Sequence, residues 1–329
     1  GLNALEVVNG ELFVGGPNLR SLSGLDALRY VRLRFLITDN PALVNLEGLG
    51  SLEEVGRTLE IVRNSALESL RGLPTEPFTV NTGIVIRVNR NLSSLEGLEG
   101  LTSPGFVRIE TNANLTSLQG LSGFTGTNGS FSLVNNDALT TLDGLPERPF
   151  SIGGTLLIQG NEVLTNLDGL IPLTTVGAVF PDSRLEVENN PLLSSCCSLF
   201  GALTTSSTLA AVEIQGNAPG CNAPEDITSG EACVVAGEEG TPLVFGLAPC
   251  FPNPTTDAAT LRFTLDRPAE VRLSVYDALG RTVAVLVNDR QAAGTHEVAL
   301  DAAALPSGVY VVRLTADNEV ATRRVSVVR

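Results

Sequence analysis

The dipeptide Gly-Leu returns along this chain at an almost fixed step, each time closing a Leu-x-Gly-Leu phrase. The glycines are Gly24, Gly48, Gly72, Gly97, Gly120, Gly144 and Gly169, so the steps are 24, 24, 25, 23, 24 and 25 residues. A period in this range marks a solenoid, in which one coil cannot bury its apolar face alone and stacking supplies the core. Few other folds accommodate such a pattern, and arrays of this kind usually present surfaces rather than catalytic pockets.

A second phrase, apolar-x-apolar-x-x-Asn-x-x-Leu, precedes each glycine. Phe35, Ile37, Asn40 and Leu43 form one copy, and Leu59, Ile61, Asn64 and Leu67 the next; the row continues at Asn89, Asn112, Asn136, Asn161, Asn190 and Asn217. The apolar residues five and three positions before each Asn alternate as a short half-buried strand requires. Stacked coils pair such strands in parallel, about 4.8 Å apart. Asn suits the bend that follows, because its amide both donates and accepts. The expectation is one strand per repeat, with the Asn amides turned inward as a structural ladder; a ligand-binding row is the competing reading. Leucines at 43, 46 and 49, then 67, 70 and 73, then 92, 95 and 98, fill the interior. Burying each is worth roughly 1.5–3 kcal/mol. The glycines are expected where a side chain would strike the adjacent coil.

This pattern resembles leucine-rich repeats, and more closely the bacterial relatives of the receptor L-domain, over about residues 1–235. The segment Leu52 to Asn64 carries the likeness, being close to Leu-x-x-Val-Gly-Gly-x-Leu-x-Ile-x-x-Asn. The resemblance implies a right-handed parallel β-solenoid and a surface or extracellular binding module, with no shared ligand.

Among the 329 residues all 21 basic side chains are Arg, which removes Schiff-base and phosphate-loop lysines. The net charge of −15 belongs to the repeats, because from residue 250 onward nine Arg balance nine Asp plus Glu. Such an acidic body argues against nucleic acid and anionic membranes as partners. No run of about 18 apolar residues is present, so no membrane-inserted helix is expected. With no signal peptide visible, the sequence reads as a mature or trimmed form.

Four of the five cysteines, Cys196, Cys197, Cys221 and Cys233, fall where the repeat decays. A disulfide-stapled cap is expected, Cys196 and Cys197 each reaching Cys221 or Cys233 and each bond adding on the order of 3 kcal/mol. An all-thiolate zinc site is the alternative, although the vicinal pair suits one tetrahedral metal poorly. Cys250 is left as buried, free, or paired with another molecule. Outward strand positions place Glu186 and Glu188 on one coil and Glu213 on the next, a weak candidate for a cation site or for paired-carboxylate chemistry.

A linker is expected over 236–249, around Gly237, Gly240 and Pro242. Beyond it, alternating segments at 260–265, 271–276, 282–287, 296–300, 309–315 and 320–328 have the spacing of a small antiparallel β-sandwich of Ig-like kind. Pro252-Asn253-Pro254, Tyr276-Asp277 with Gly280-Arg281, Gly294 with His296, and Leu305 to Tyr310 through Gly308 follow one another in the order of the type IX secretion system C-terminal sorting domain. The resemblance covers residues 250–329 and extends to the basic finish at Arg323, Arg324 and Arg329. It implies recognition by the type IX machinery, export across a bacterial outer membrane, and release or surface attachment, many members losing the domain after translocation. His296, the single histidine, reads as structural.

The chain is therefore expected to be mainly β, and to be a secreted or surface-displayed interaction or adhesion protein whose partner is a surface protein or glycan. It is read as a non-enzyme that needs no cofactor. The alternative is a structural subunit that assembles head-to-tail into an extracellular filament or layer. That alternative draws on the first coil: Gly1 to Leu5 aligns with Gly48 to Leu52, leaving leucine rows and a strand edge open to self-association.

Overall fold

The backbone follows the alternation just described, and the computed structural model describes residues 2–205, 209–228, 245–248, 250, 252–265, 267–292, 294–317 and 319–328. It divides into two units, Gly1–Glu225 and Asp226–Arg329.

In the first unit, one short strand from each coil joins a nine-stranded parallel sheet. In chain order the strands are Leu12–Val14, Phe35–Thr38, Thr58–Val62, Gly83–Arg87, Val107–Glu110, Phe131–Val134, Leu156–Gln159, Arg184–Glu188 and Ala211–Gln215. Each pairs with the strand one coil away, which makes this a parallel β-solenoid. Two smaller parallel sheets, Val7–Val8 to Thr79–Val80 and Gly126–Thr127 to Leu173–Val176, form further wall. Phe35, Ile37, Leu59, Ile61, Ile84, Ile86 and the leucine rows are fully buried between the walls.

The asparagines stand at the corner where each sheet strand ends. Asn40 through Asn190 have no exposed surface. Asn112 shows the scheme. Its backbone N–H and its Nδ2 donate to Asn136 Oδ1 at 3.1 and 3.3 Å, and Nδ2 also donates to the Ile86 carbonyl at 3.0 Å. Its own Oδ1 accepts from the Asn89 N–H and Nδ2 at 3.1 and 3.3 Å. The row is thus a continuous internal ladder, with no amide left over to face a ligand. Asn222 Oδ1 takes the Asn217 N–H at the far end. At the near end the register of Val14 with Ile37 puts Pro17 at the Asn place, and Gly16 N–H serves Asn40 Oδ1 instead. Bending the chain into this corner puts the preceding residue in the left-handed region; φ is 58° at Asp39, 59° at Val88 and 57° at Thr111. Such a conformation costs a non-glycine residue about 1–2 kcal/mol.

From Gly48 onward the Leu-x-Gly-Leu glycines sit against the backbone of the preceding coil. A Cβ at Gly120 would lie 2.1 Å from the Leu95 carbonyl oxygen, one coil away, and φ there is +113°. Glycine is required at such a contact because any side chain would push two coils apart.

Where the pattern decays, a 3-10 turn Cys197–Leu199 runs into helix Phe200–Thr205. Cys196 and Cys221, both fully buried, are joined by a disulfide spanning 25 residues, about one coil. That bond removes the zinc alternative for this pair. Cys197 is also disulfide-bonded; Cys233 lies outside the described residues, as does most of the expected linker.

The second unit contains two antiparallel sheets. Gly246–Leu247, Ala258–Leu265 and Gly294–Asp301 form one; Thr282–Gln291, Ala269–Tyr276, Gly308–Ala316 and Glu319–Val327 form the other, in that spatial order. Leu261, Phe263, Val271, Leu273, Val275, Val312, Leu314 and Val325 form their common core. The unit begins before residue 250: Gly246–Leu247 pairs with Phe263 and Thr264, because Leu247 has a place in that core. Among the described residues, no helix is long and apolar enough to cross a membrane.

Candidate functional site

Two surfaces are candidates for function: the outer face of the nine-stranded sheet and the C-terminal unit. Strand alternation decides what the first presents. With Ile37, Ile61 and Ile86 turned inward, the register brings Phe13, Leu36, Glu60, Val85, Arg108, Ser132, Leu157, Glu186 and Glu213 into one outward row. Its near end is apolar, with Phe13 64% exposed, and its far end is acidic. Arg108 stacks over the Phe106 ring, 5.1 Å from its centroid.

Ion pairs between coils neutralise much of this face. Arg34 reaches Glu60 at 2.5 Å and Asp39 accepts two bonds from Arg63 at 2.7 and 2.8 Å. The Arg63 guanidinium pulls the Asp39 carboxyl down to about 2, and Arg34 holds the Glu60 carboxyl below the usual range. Glu186 and Glu213 stack as register partners, but the cation between them is the chain's own. Arg184 Nη1 lies 3.3 Å from Glu186 Oε1 and 3.2 Å from Glu213 Oε1. Glu188 accepts from Gln215 Nε2 at 2.7 Å. The expected acidic trio is thereby a set of internal pairs, and no acid or thiol cluster suited to a metal occurs among the described residues.

The opposite wall holds a feature that sequence reasoning missed. Tyr30 lies under the guanidinium groups of Arg29 and Arg32, and its hydroxyl donates to Glu53, which also binds Arg29 at 2.5 Å. Beside it Glu6, Arg29, Glu53 and Glu76 line an open cleft of about 450 Å³. The signal was available: Glu53 stands one period after Arg29.

In the C-terminal unit the singled-out residues are mostly hydrogen-bonding hardware. Asn253, between half-buried Pro252 and Pro254 and preceding a cis bond, accepts from Ser326 N–H at 2.7 Å and donates to the Arg324 carbonyl at 3.2 Å. The opening segment is thus fastened to the last strand. Asp277 Oδ1 accepts the N–H groups of Leu279 and Arg281, both at 2.9 Å, while Arg281 Nε donates to Oδ2 at 2.7 Å. These bonds close the turn after half-buried Tyr276, where Gly280 has φ +76°. They also hold the Asp277 carboxyl below its ordinary value, the Arg281 N–H acting most. Tyr310 is buried and its hydroxyl donates to the Pro306 carbonyl at 2.8 Å, forming a tyrosine corner around the turn at exposed Gly308. His296 stacks on Phe263 at 4.9 Å, with Nε2 2.8 Å from the Ala292 oxygen. Cys250 is buried and free, and burial pushes its thiol up to about 12.

No curated protein matches the chain. Residues 249–328 match the family described as the secretion system C-terminal sorting domain, so the unit that Asn253, Asp277 and Tyr310 hold together is a type IX secretion sorting domain, and it points to an exported chain that is secreted or carried on the outer surface.

Proposed function

We propose that this chain is an exported interaction protein: a solenoid of leucine-rich-repeat, receptor-L-domain kind that presents a binding face, carried to the cell surface by an Ig-like sorting domain. The observation that carries the reading is the presence, in one chain, of that sorting domain and a continuous nine-stranded parallel sheet. Its outward row mixes an exposed aromatic, aliphatics and unequal charge. A surface of this composition suits a protein or glycan on another cell or in the surrounding matrix, and adhesion is the role it serves. The reading is non-enzymatic, since the only histidine is held between Phe263 and a carbonyl.

The test has two arms. Deleting residues 245–329 is expected to leave a folded solenoid in the periplasm, and normal secretion of the deletion would remove the export half of the reading. On glycan arrays and surface-protein arrays, the full chain is expected to bind. Phe13→Ser with Leu157→Ser should weaken that binding at least tenfold, while Thr79→Ser on the opposite wall leaves it unchanged. Equal binding by all three would remove the adhesive face. A polymer in native particle sizing would instead favour the structural-subunit reading, and turnover on polysaccharides would overturn the non-enzymatic one.

A further inference from the structure

Two loops on the wall opposite the nine-stranded sheet are spelled alike. Leu73-Pro74-Thr75-Glu76-Pro77-Phe78 and Leu145-Pro146-Glu147-Arg148-Pro149-Phe150 share the phrase Leu-Pro-x-x-Pro-Phe and lie three coils apart. Their structures agree as well. Gly72 and Gly144, which precede them, both have φ +106°, and a Cβ on either would lie 2.3 Å from the backbone of the coil before. In each loop the first proline is buried, the second is exposed, and the closing Phe is buried. Proline fixes φ, so these turns keep their shape before anything binds them.

The fourth residue of the phrase differs, and with it the surface beside each loop. In the second loop Arg148 reaches back one coil, and its Nη2 donates to the Gly123 carbonyl at 2.8 Å. The coils on that flank bring up uncharged Thr102 and Thr125, whose backbone bond at 2.7 Å matches the one from Glu53 to Arg29 at 2.8 Å beside the first loop. In the first loop Glu76 stands in the place of Arg148. It faces the open cleft of about 450 Å³ that Glu6, Arg29 and Glu53 also line. Arg29 takes up Glu53. Glu6 and Glu76, both exposed, form no ion pair or side-chain hydrogen bond among the described residues. A carboxylate at position 76 is kept off a wall that already carries Glu53 and Glu6, because like charges repel. The second loop thus supplies its own guanidinium, whereas the first sets carboxylates around a space.

The cation absent beside Glu76 is the one that the matching loop provides for itself. We propose that this cleft is a second binding site, separate from the outer face of the nine-stranded sheet, and that it takes an arginine side chain from an exposed, extended segment of a partner protein. The guanidinium has the Glu6 and Glu76 carboxylates to pair with, and Leu52, Pro74 and Pro77 offer its methylene stem apolar ground. Ser51, the counterpart of Gly123 in the repeat, also lines the cleft. A metal ion fits worse, since these carboxylates form no group suited to one among the described residues. So does a sugar, because Tyr30, the aromatic beside the cleft, already lies under Arg29 and Arg32.

The test is an amide NMR titration of the full chain at low salt with an end-blocked Gly-Ser-Arg-Ser-Gly peptide. A second peptide carries citrulline, which keeps the shape of arginine and loses its charge. The arginine peptide is expected to shift residues 50–53 and 74–79 and to bind about tenfold more tightly than the citrulline peptide. Glu76→Arg, which copies the second loop, should weaken binding of the arginine peptide about tenfold, and E6Q/E76Q about fivefold. Both variants change exposed residues only; if urea unfolding shows that one does not fold, the other decides. Arg148→Ala should bind as the wild type does. So should Phe13→Ser with Leu157→Ser, which keeps failure of the adhesive face distinct from failure of this site. Equal binding of the two peptides, shifts confined to other residues, or full binding by the folded cleft variants overturns the proposal. Loss of peptide binding in Arg148→Ala or in the outer-face variant overturns it as well.

Discussion

Asn112 and Asn253 are both buried asparagines that fasten a bend in the backbone, yet they are held in opposite ways. Asn112 bonds to copies of itself 23 and 24 residues away, whereas Asn253 reaches a strand 71 to 73 residues later. In the solenoid every restraint is satisfied by the adjacent coil, so stability accumulates by nearest neighbours. In the sorting domain the opening segment cannot be fastened until the last strand is in place. Folding of that unit therefore involves long loop closure before its contacts form. One region is stabilised by repetition and the other by closure.

The sharpest break of this comparison is Asn112→Leu. It strands the Asn89 N–H and the Ile86 carbonyl in the interior, at about 1–3 kcal/mol for each group. We expect the solenoid transition to fall by about 2–6 kcal/mol in urea, with the sorting-domain transition unmoved. Asn253→Leu should do the reverse with a smaller effect, because it strands the buried Ser326 N–H but frees an Arg324 carbonyl that is only part-buried on an edge strand.

The glycines separate the regions next. Gly120→Ala meets a carbonyl at 2.1 Å, whereas a Cβ on Gly280 meets nothing within 4 Å. Both have positive φ, so the shared conformational cost is about 1–2 kcal/mol; the clash should bring Gly120→Ala to roughly 3–4 kcal/mol in the same assay. Replacing Cys196 and Cys221 by Ala should remove on the order of 3 kcal/mol from the solenoid alone. Tyr310→Phe, which loses one hydrogen bond, should lower the sorting-domain transition by about 1 kcal/mol.

The smallest effect is electrostatic. The folded-state Asp39 carboxyl is depressed to about 2 by Arg63, from an ordinary value near 3.9. Its contribution is therefore present above about pH 4 and lost as pH falls toward 2. Asp39→Asn should flatten the solenoid's acid transition in that window and change nothing at pH 7 beyond a marginal surface-pair effect.

The period made the nine-stranded sheet, the leucine rows and the Asn corner legible, because each coil repeats one burial problem. Five of the six C-terminal segments that alternation marked out lie wholly within strands, and the sixth runs one residue past its strand, which ends at Val327. Four things were not legible. The second wall is built from strands as short as Val7–Val8 and Tyr30–Val31, too brief for a period of two to show. The left-handed residue before each Asn is as often Val or Thr as Gly, since the ladder forces the bend regardless of local preference. Arg184 sits two residues before Glu186 on one strand; that this places it between two glutamates follows from register, and composition says nothing of it. Cys250 and Gly246–Leu247 were placed by burial in a core formed by distant strands.

The ladder step varies from 23 to 29 residues while every rung still forms. The longest step contains residues 178–182, all exposed, among them Val179 and Phe180, each more than half exposed. Because alignment is enforced at one corner, the other corners are free to change length. The architecture thus tolerates innovation in the way a spine tolerates new ribs: a coil can gain a loop, and a new recognition element with it, without any other coil having to be redesigned.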